Sequence, residues 1–205
     1  MYSKHPGLIY GFHGCDKSVA LDVINQKKQL KESKNEYDWL GHGIYFWQGS
    51  YSRALDYATM LSNHPTRNKA NPIKEPYVIG AVISLGKCLD LLDYQNLNFL
   101  SIGYEIFVES NLNSDMPKNK GVPGESKDLL RRNLDCAVFQ TIHEAAWLAE
   151  QEPFDSVRGV FFEGNELYPN AGFREKDHIQ ICIRNPNCIK GYFLPREVDK
   201  NYNKV

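Results

Sequence analysis

Cysteine is scarce and unpaired in this chain. Cys15, Cys88, Cys136, Cys182 and Cys188 are the five among 205 residues, an odd number with no Cys-x-x-Cys spacing. A disulfide scaffold is therefore not the organising idea, and reduced thiols in a cytoplasmic protein are expected. Long apolar runs are missing as well. No window approaches the ~18 residues of a spanning helix, and "MYSKHPGLIYGFHG" lacks the apolar centre of a secretion signal. Neither membrane insertion nor secretion is expected. Charge of one sign is not in excess: 24 basic and 25 acidic residues give a net charge of −1, too even for a dedicated nucleic-acid arm.

Several catalytic patterns are also absent. There is no Gly-x-Ser-x-Gly elbow. His143 and Glu144 open "HEAAW", but Trp147 replaces the second histidine of a helical zinc pair, and no other grouping has ligand spacing. A bound metal is not expected. Gly41-His42-Gly43-Ile44-Tyr45-Phe46 imitates the start of a dinucleotide fingerprint, with Asp56 downstream. That reading fails because Phe46 stands where close helix–strand packing needs a small residue, and because the pattern precedes a strand where it should follow one.

What is present alternates at first between strand and helix. "GLIYGFHG" (7–14) reads as a buried strand and "DKSVALDVINQKK" (16–28) as a helix, capped by Asp16 or Ser18. "GIYFW" is a second short strand, and "SYSRALDYATMLSNH" a helix capped by Ser50. Residues 64–76 form a loop, and "PYVIGAVISLGKCLDLL" reads as one long, central, buried strand. Helical patterns in "NLNFLSIGYEIFVE" and "DLLRRNLDCAVFQTIHEAAWLAEQ" flank the polar loop "NSDMPKNKGVPGESK", giving a helical insertion at about 95–151. Lys127, Arg131 and Arg132 make a modest basic cluster of the kind that is ordinarily a solvated face.

"SVRGVFFEG" and "DHIQICIR" are strands, and "CIKGYFLP" a last one. Cys182 and Cys188 flank a turn at Asn185-Pro186-Asn187. In "DHIQICIR", His178, Gln180, Cys182 and Arg184 share one face and the isoleucines the other. One α+β domain over 1–205 follows, since a doubly wound sheet would need more regular alternation. The polar and aromatic residues at strand ends, His13, Tyr45 and Gln180, are the site candidates.

"FHG", followed about thirty residues later by "LGHGIYF" and then by "SRALDYA", resembles the ADP-ribosyltransferase superfamily, in its diphtheria-toxin-like branch that contains the poly(ADP-ribose) polymerases. The resemblance implies a split β-sheet core with flanking helices, and NAD as the substrate. It implies that His13 bonds the adenine-side ribose, that the backbone of Gly14 pairs with the nicotinamide carboxamide, and that Tyr45 and Tyr57 sandwich the nicotinamide ring. Ala54 stands where the family often has a carboxamide-binding serine. The family's glutamate on a late strand has no counterpart in "HIQICIR". Gln180 is the match taken, giving a His-Tyr-Gln set, with His178 on the same face and Glu163 or Glu175 as other sources of charge.

The expected activity is single-unit transfer of ADP-ribose to a macromolecular acceptor, protein or nucleic acid, with release of nicotinamide. An intracellular effector of toxin or antiphage type, with an antitoxin or inhibitor protein as partner, fits that reading. The alternatives are NAD glycohydrolysis and an inactive NAD-binding module.

Overall fold

The computed structural model describes residues 7–69, 71–112, 114–122 and 128–203. The start of "MYSKHPGLIYGFHG", part of the 113–127 loop and Lys127 lie outside them.

β1 (Ile9–Asp16) passes without a loop into α1 (Lys17–Ile24). The junction holds because Asp16 stays extended and its carboxylate accepts the Ser18 N–H, capping the helix. β2 (Ile44–Gln48) leads to α2 (Tyr51–Asn63), where Ser50 accepts the Arg53 N–H in the same way. β3 (Pro76–Ile83) and β4 (Cys88–Asp90) follow, then α3 (Leu97–Ser110), β5 (Asn119–Lys120), β6 (Arg131–Arg132) and α4 (Asn133–Leu148). β7 (Ser156–Phe161), β8 (His178–Ile183) and β9 (Ile189–Phe193) complete the described strands, and short 3-10 turns lie at Pro65–Asn68, Tyr94–Asn96 and Pro186–Cys188.

Seven strands form one sheet in the order β4-β7-β8-β2-β1-β3-β9. Its pairings are antiparallel except β4 with β7. The protein is thus α+β, as its sequence suggests. Strand alternation gives the sheet two apolar faces. One carries Ile44, Phe46, Ile79, Ala81, Ile83, Ile181 and Ile183 against Ala20 and Val23 of α1. The other is covered in two parts. Ala54 of α2 packs with Trp47 and Val78, and Val138, Phe139 and Ile142 of α4 pack with Leu89, Val157, Phe161 and Cys182. The seam between these two parts, the furrow, runs over β2 and β8, with Trp47 belonging to the α2 part and Cys182 to the α4 part.

Three expectations are corrected. Residues 76–92 are not one strand: Gly86 takes a left-handed φ of +61°, and Asp155 receives the Lys87 N–H just after it. β3 therefore lies inside one end of the sheet and β4 on the far edge. The helix expected from Asp128 begins only at Asn133, because Arg131 and Arg132 pair with Lys120 and Asn119 as a small ribbon. Arg132 is not solvated. Its guanidinium lies 4.4 Å from the Trp39 ring and 4.7 Å from Phe161, whereas Arg131 is exposed.

The helical segment is also more than an insertion. Parallel strands need a crossover, and α3 with α4 provides the one between β4 and β7. The two helices approach closely at Gly103, where a Cβ would stand 2.4 Å from Ile142. His143 of α4 is buried, with neither ring nitrogen hydrogen-bonded. It packs edge-on to Phe154 at 6.2 Å. Burial, with the Arg184 charge adding to it, pushes its pKa down from 6.5 to about 3.

The native state therefore resists a proton that the unfolded chain accepts below pH 6.5. Stability from this group is complete above that pH and is lost as pH falls toward 3, at ~1.4 kcal/mol per unit as an upper bound. Urea unfolding at pH 7.5 and pH 5 should find His143→Leu less acid-sensitive than wild type, by about 2 kcal/mol across that interval. Equal sensitivity in the two proteins contradicts this account of His143.

Candidate functional site

β1 and β2 pair only at Gly11↔Gln48 and Phe12↔Trp47. Beyond Phe12 the ladder stops, although β1 continues to pair with β3 as far as Asp16↔Pro76. Backbone groups alternate between neighbours along a strand, and the Gly49 N–H donates to the Tyr10 carbonyl on the β2 side. Tyr10, Phe12 and Gly14 therefore turn that way, and the N–H and C=O of Gly14 face the opening. The imidazole of His13 takes over the carbonyl that Gly14 does not: its Nδ1 is 2.8 Å from Tyr45 O.

A carbonyl only accepts, so His13 Nδ1 carries the proton. Burial lowers the pKa of His13 against a raising effect of that bond. The neutral ring thus keeps Nε2 as an acceptor. Gly14 is small for a packing reason. The α2 backbone lies directly on it, and a Cβ there would come within 2.1 Å of Ala54 O.

The furrow collects polar atoms that nothing satisfies. Trp47 Nε1, Arg53 Nε, His178 Nε2 and Gln180 Oε1 are all buried without a hydrogen-bond partner. They are neighbours: Gln180 faces Trp47 across β2 and β8, the Trp47 and His178 rings are 6.4 Å apart, and Arg53 lies over Trp47 at 5.7 Å. The His178 Nδ1 is 2.6 Å from Lys176 O, so it donates there and Nε2 is again an acceptor. Burial is the main cause of its lowered pKa. The set is two donors, from tryptophan and arginine, beside two acceptors, from histidine and glutamine. Buried orphans of this kind are uncommon, and a water, an ion, local strain or a functional role is the usual reason for one.

The loop before β2 closes one side. Asp38 accepts from Ser33 Oγ and from the Asn35 N–H, folding residues 33–41 so that Trp39 stacks at 6.0 Å on His178 and bonds Leu130 O through Nε1. Gly41 adopts φ +77°, which L side chains rarely take. The Tyr45 hydroxyl secures this turn, donating to Gly41 O at 2.6 Å and accepting the Leu40 N–H at 2.9 Å. His42 leans away and bonds Gln140.

Of the residues singled out in the sequence, Gly14, Tyr45, Tyr57, His178 and Gln180 belong to the α2–α4 side of the sheet. His13 stands on the α1 side, edge-on to Phe46 at 5.8 Å, and reaches the others only through the split. Tyr45 packs against the α4 part of the α2–α4 face, whereas Tyr57 belongs to α2. Trp47 lies against Tyr57 at 5.0 Å, and Tyr57 is 37% exposed. Glu163 is at the site, 2.6 Å from Arg53 and 3.8 Å from His178 Nδ1. Glu175 instead braces Asn165 in the β7–β8 loop. Arg184 lies past the end of β8 and bonds Phe154 O.

Sequence reasoning passed over Trp47, Arg53 and Trp39. Trp47 was within reach, since it is two residues from Tyr45 on the same strand face. Burial raises all five thiols above their ordinary value, Cys136 to about 11, which argues against thiolate chemistry. No group of three or more His, Cys, Asp or Glu side chains suited to a metal occurs among the described residues. No helix among them is long and apolar enough to cross a membrane.

No family model matches the chain, and no solved structure matches it. It is similar to an uncharacterized protein of Methanocaldococcus jannaschii, at 24% identity over 210 residues that cover 92% of this chain and 89% of that one.

Two substitutions test this geometry. Tyr45→Phe strands the Leu40 N–H and should cost about 1–3 kcal/mol in urea unfolding, with faster amide exchange in residues 38–42. Gly14→Ala forces α2 off β1 and should cost at least as much. A wild-type midpoint for both variants refutes the contacts described.

Proposed function

We propose that this chain is an NAD-dependent mono-ADP-ribosyltransferase of the poly(ADP-ribose) polymerase-like branch, moving one ADP-ribose unit from NAD to a protein or nucleic-acid acceptor. The observation that carries the reading is the conjunction at the split. Gly14 offers a backbone donor and acceptor where the β1–β2 ladder ends, and unpartnered acceptors and donors line the furrow beside it. A primary carboxamide needs the first arrangement, and ribose hydroxyls suit the second. The motif resemblance of "FHG", "LGHGIYF" and "SRALDYA" points the same way.

In this reading Gly14 holds the nicotinamide carboxamide, and Tyr45 and Tyr57 border the ring. His13 Nε2 accepts a hydroxyl of the adenine-side ribose. Gln180 Oε1 and His178 Nε2 accept from the ribose that bears nicotinamide. NAD already carries a good leaving group, so the protein contributes orientation and charge placement. Nicotinamide departs with the electron pair of the glycosidic bond, and the acceptor attacks the anomeric carbon from the opposite side. A toxin-type or antiphage effector controlled by an inhibitor protein is the biological setting that accompanies this proposal.

Incubation of the purified protein with labelled NAD and a cell lysate, split into protein, RNA and DNA fractions, tests the reading. Free nicotinamide and label in one macromolecular fraction are expected. Tyr57→Ala, at a surface position, should raise the KM for NAD about tenfold while the fold is retained, as loss of a stacking contact of ~1 kcal/mol or more implies. ADP-ribose without macromolecular label selects glycohydrolysis. NAD binding without nicotinamide release selects an inactive binding module, and neither binding nor release ends the NAD reading.

A further inference from the structure

Arg53 of α2 and Glu163 of the β7–β8 loop meet across the furrow, Nη2 to Oε2 at 2.6 Å, with side chains only 12% and 13% exposed. Burying two opposite charges together limits the desolvation cost that either would incur alone. The arrangement is not saturated. Arg53 also holds Asp56 at 3.0 Å through Nη1, yet its Nε is buried without a partner. The guanidinium thus keeps one buried donor unmatched beside Trp47, whose Nε1 is unpartnered as well, as is His178 Nε2.

Glu163, like Asp177, is a carboxylate beside His178 of β8. Its Oε2 is 3.8 Å from His178 Nδ1, and that nitrogen already donates to Lys176 O. The strong contact of the carboxylate is therefore Arg53, whose positive charge cancels it. Gln180, on the strand itself, is a neutral amide and contributes no charge.

Resting on the NAD reading above, we propose that Arg53 and Glu163 form an exchangeable ion pair. The diphosphate of NAD takes Arg53 through Nε–H and the adjacent edge of the fork, and Glu163 is released to supply the negative charge that Gln180 lacks. Arginine suits the exchange because its planar fork binds carboxylate and phosphate oxygens alike. As the bond from the ribosyl anomeric carbon to nicotinamide breaks, its electron pair stays on the nicotinamide nitrogen, which becomes neutral. Positive charge passes to the ribosyl carbon and ring oxygen. The incoming nucleophile forms the new bond with its own pair and loses its proton to solvent. No oxidant or reductant takes part. Glu163 stabilises the transient cation only while Arg53 is occupied elsewhere, so charge arrives at the reaction centre with the substrate.

Calorimetric binding of ADP-ribose and release of nicotinamide from NAD test this in the intact chain. Glu163→Gln removes the competitor for Arg53. It should tighten ADP-ribose binding several-fold and lower kcat for nicotinamide release about 100-fold, with KM unchanged or lower. Glu163→Asp should recover part of the rate. Arg53→Gln should weaken ADP-ribose at least tenfold and leave binding of free nicotinamide unaffected. The double variant Arg53→Gln/Glu163→Gln leaves no buried charge unpaired; it should keep the wild-type melting profile, bind ADP-ribose weakly and show no turnover.

A wild-type kcat in Glu163→Gln, weaker ADP-ribose binding by that variant, or turnover by the double variant overturns the exchange while the NAD reading stands. A wild-type protein that neither binds ADP-ribose nor releases nicotinamide overturns both.

Discussion

The structure turns on the point where β1 and β2 stop pairing. Buried backbone carbonyls must be satisfied, and past Phe12↔Trp47 the carbonyl of Tyr45 is served by the His13 side chain where a β1 N–H would ordinarily serve it. Backbone pairing at Gly11 and Phe12 keeps the seven-stranded layer continuous, and the His13 bond spans the gap beyond it, which leaves Gly14 open. α2 can then lie flat on β1, because nothing projects from Gly14 toward Ala54. The furrow between α2 and α4 is the seam on that sheet face where the α2 cover over Trp47 gives way to the α4 cover over Cys182.

Burying polar atoms without partners costs about 1–3 kcal/mol for each group, and the furrow holds four such atoms. The well-packed layers around it offset that cost. Phe46, Ile79, Ile83 and Ile181 are fully buried on one face, and Leu89 and Val157 on the other. Among the described residues, the buried orphans of Arg132 and His143 lie elsewhere. Arg132 stands across the Trp39 and Phe161 rings from His178. His143 is inside the α4 contact, where the unsatisfied ring produces acid sensitivity and serves no visible site. The remaining cost is concentrated around Trp47, Arg53, His178 and Gln180, and the proposed NAD site rests on that concentration.

Charge is placed with the same economy. The strand that carries Gln180 brings no carboxylate, and the nearby carboxylate of Glu163 is neutralised by Arg53 from the opposite wall. Lys176 pairs in turn with Asp56, which also pairs with Arg53. The mouth of the furrow is therefore laced by ion pairs between α2 and the β7–β8 loop.

Local rules were enough for much of the chain. Two-residue alternation and the capping residues Asp16 and Ser50 located β1, α1, β2 and α2, and the isoleucine alternation fixed the two faces of β8. α1 nonetheless ends at Ile24, short of the expected Lys28, with Gln26 at a left-handed φ of +58°. The same rules put Tyr45 and Gln180 on strands and placed His13 next to Gly14. They were silent on the break at Gly86, because an apolar run looks alike whether it continues or crosses the sheet. They were silent too on Arg132, whose neighbours Trp39 and Phe161 are brought to it by a loop and a distant strand. Arg53 and Glu163 are 110 residues apart in sequence, and no periodicity records that they meet. The sequence by itself determined which residues alternate, cap and turn, since those depend on neighbours along the chain. Only the tertiary structure decided which side of the sheet His13 occupies, which carboxylate reaches the furrow and which polar atoms are left unpaired, since those depend on where the β1–β2 ladder ends and on which helices cover the face beside it.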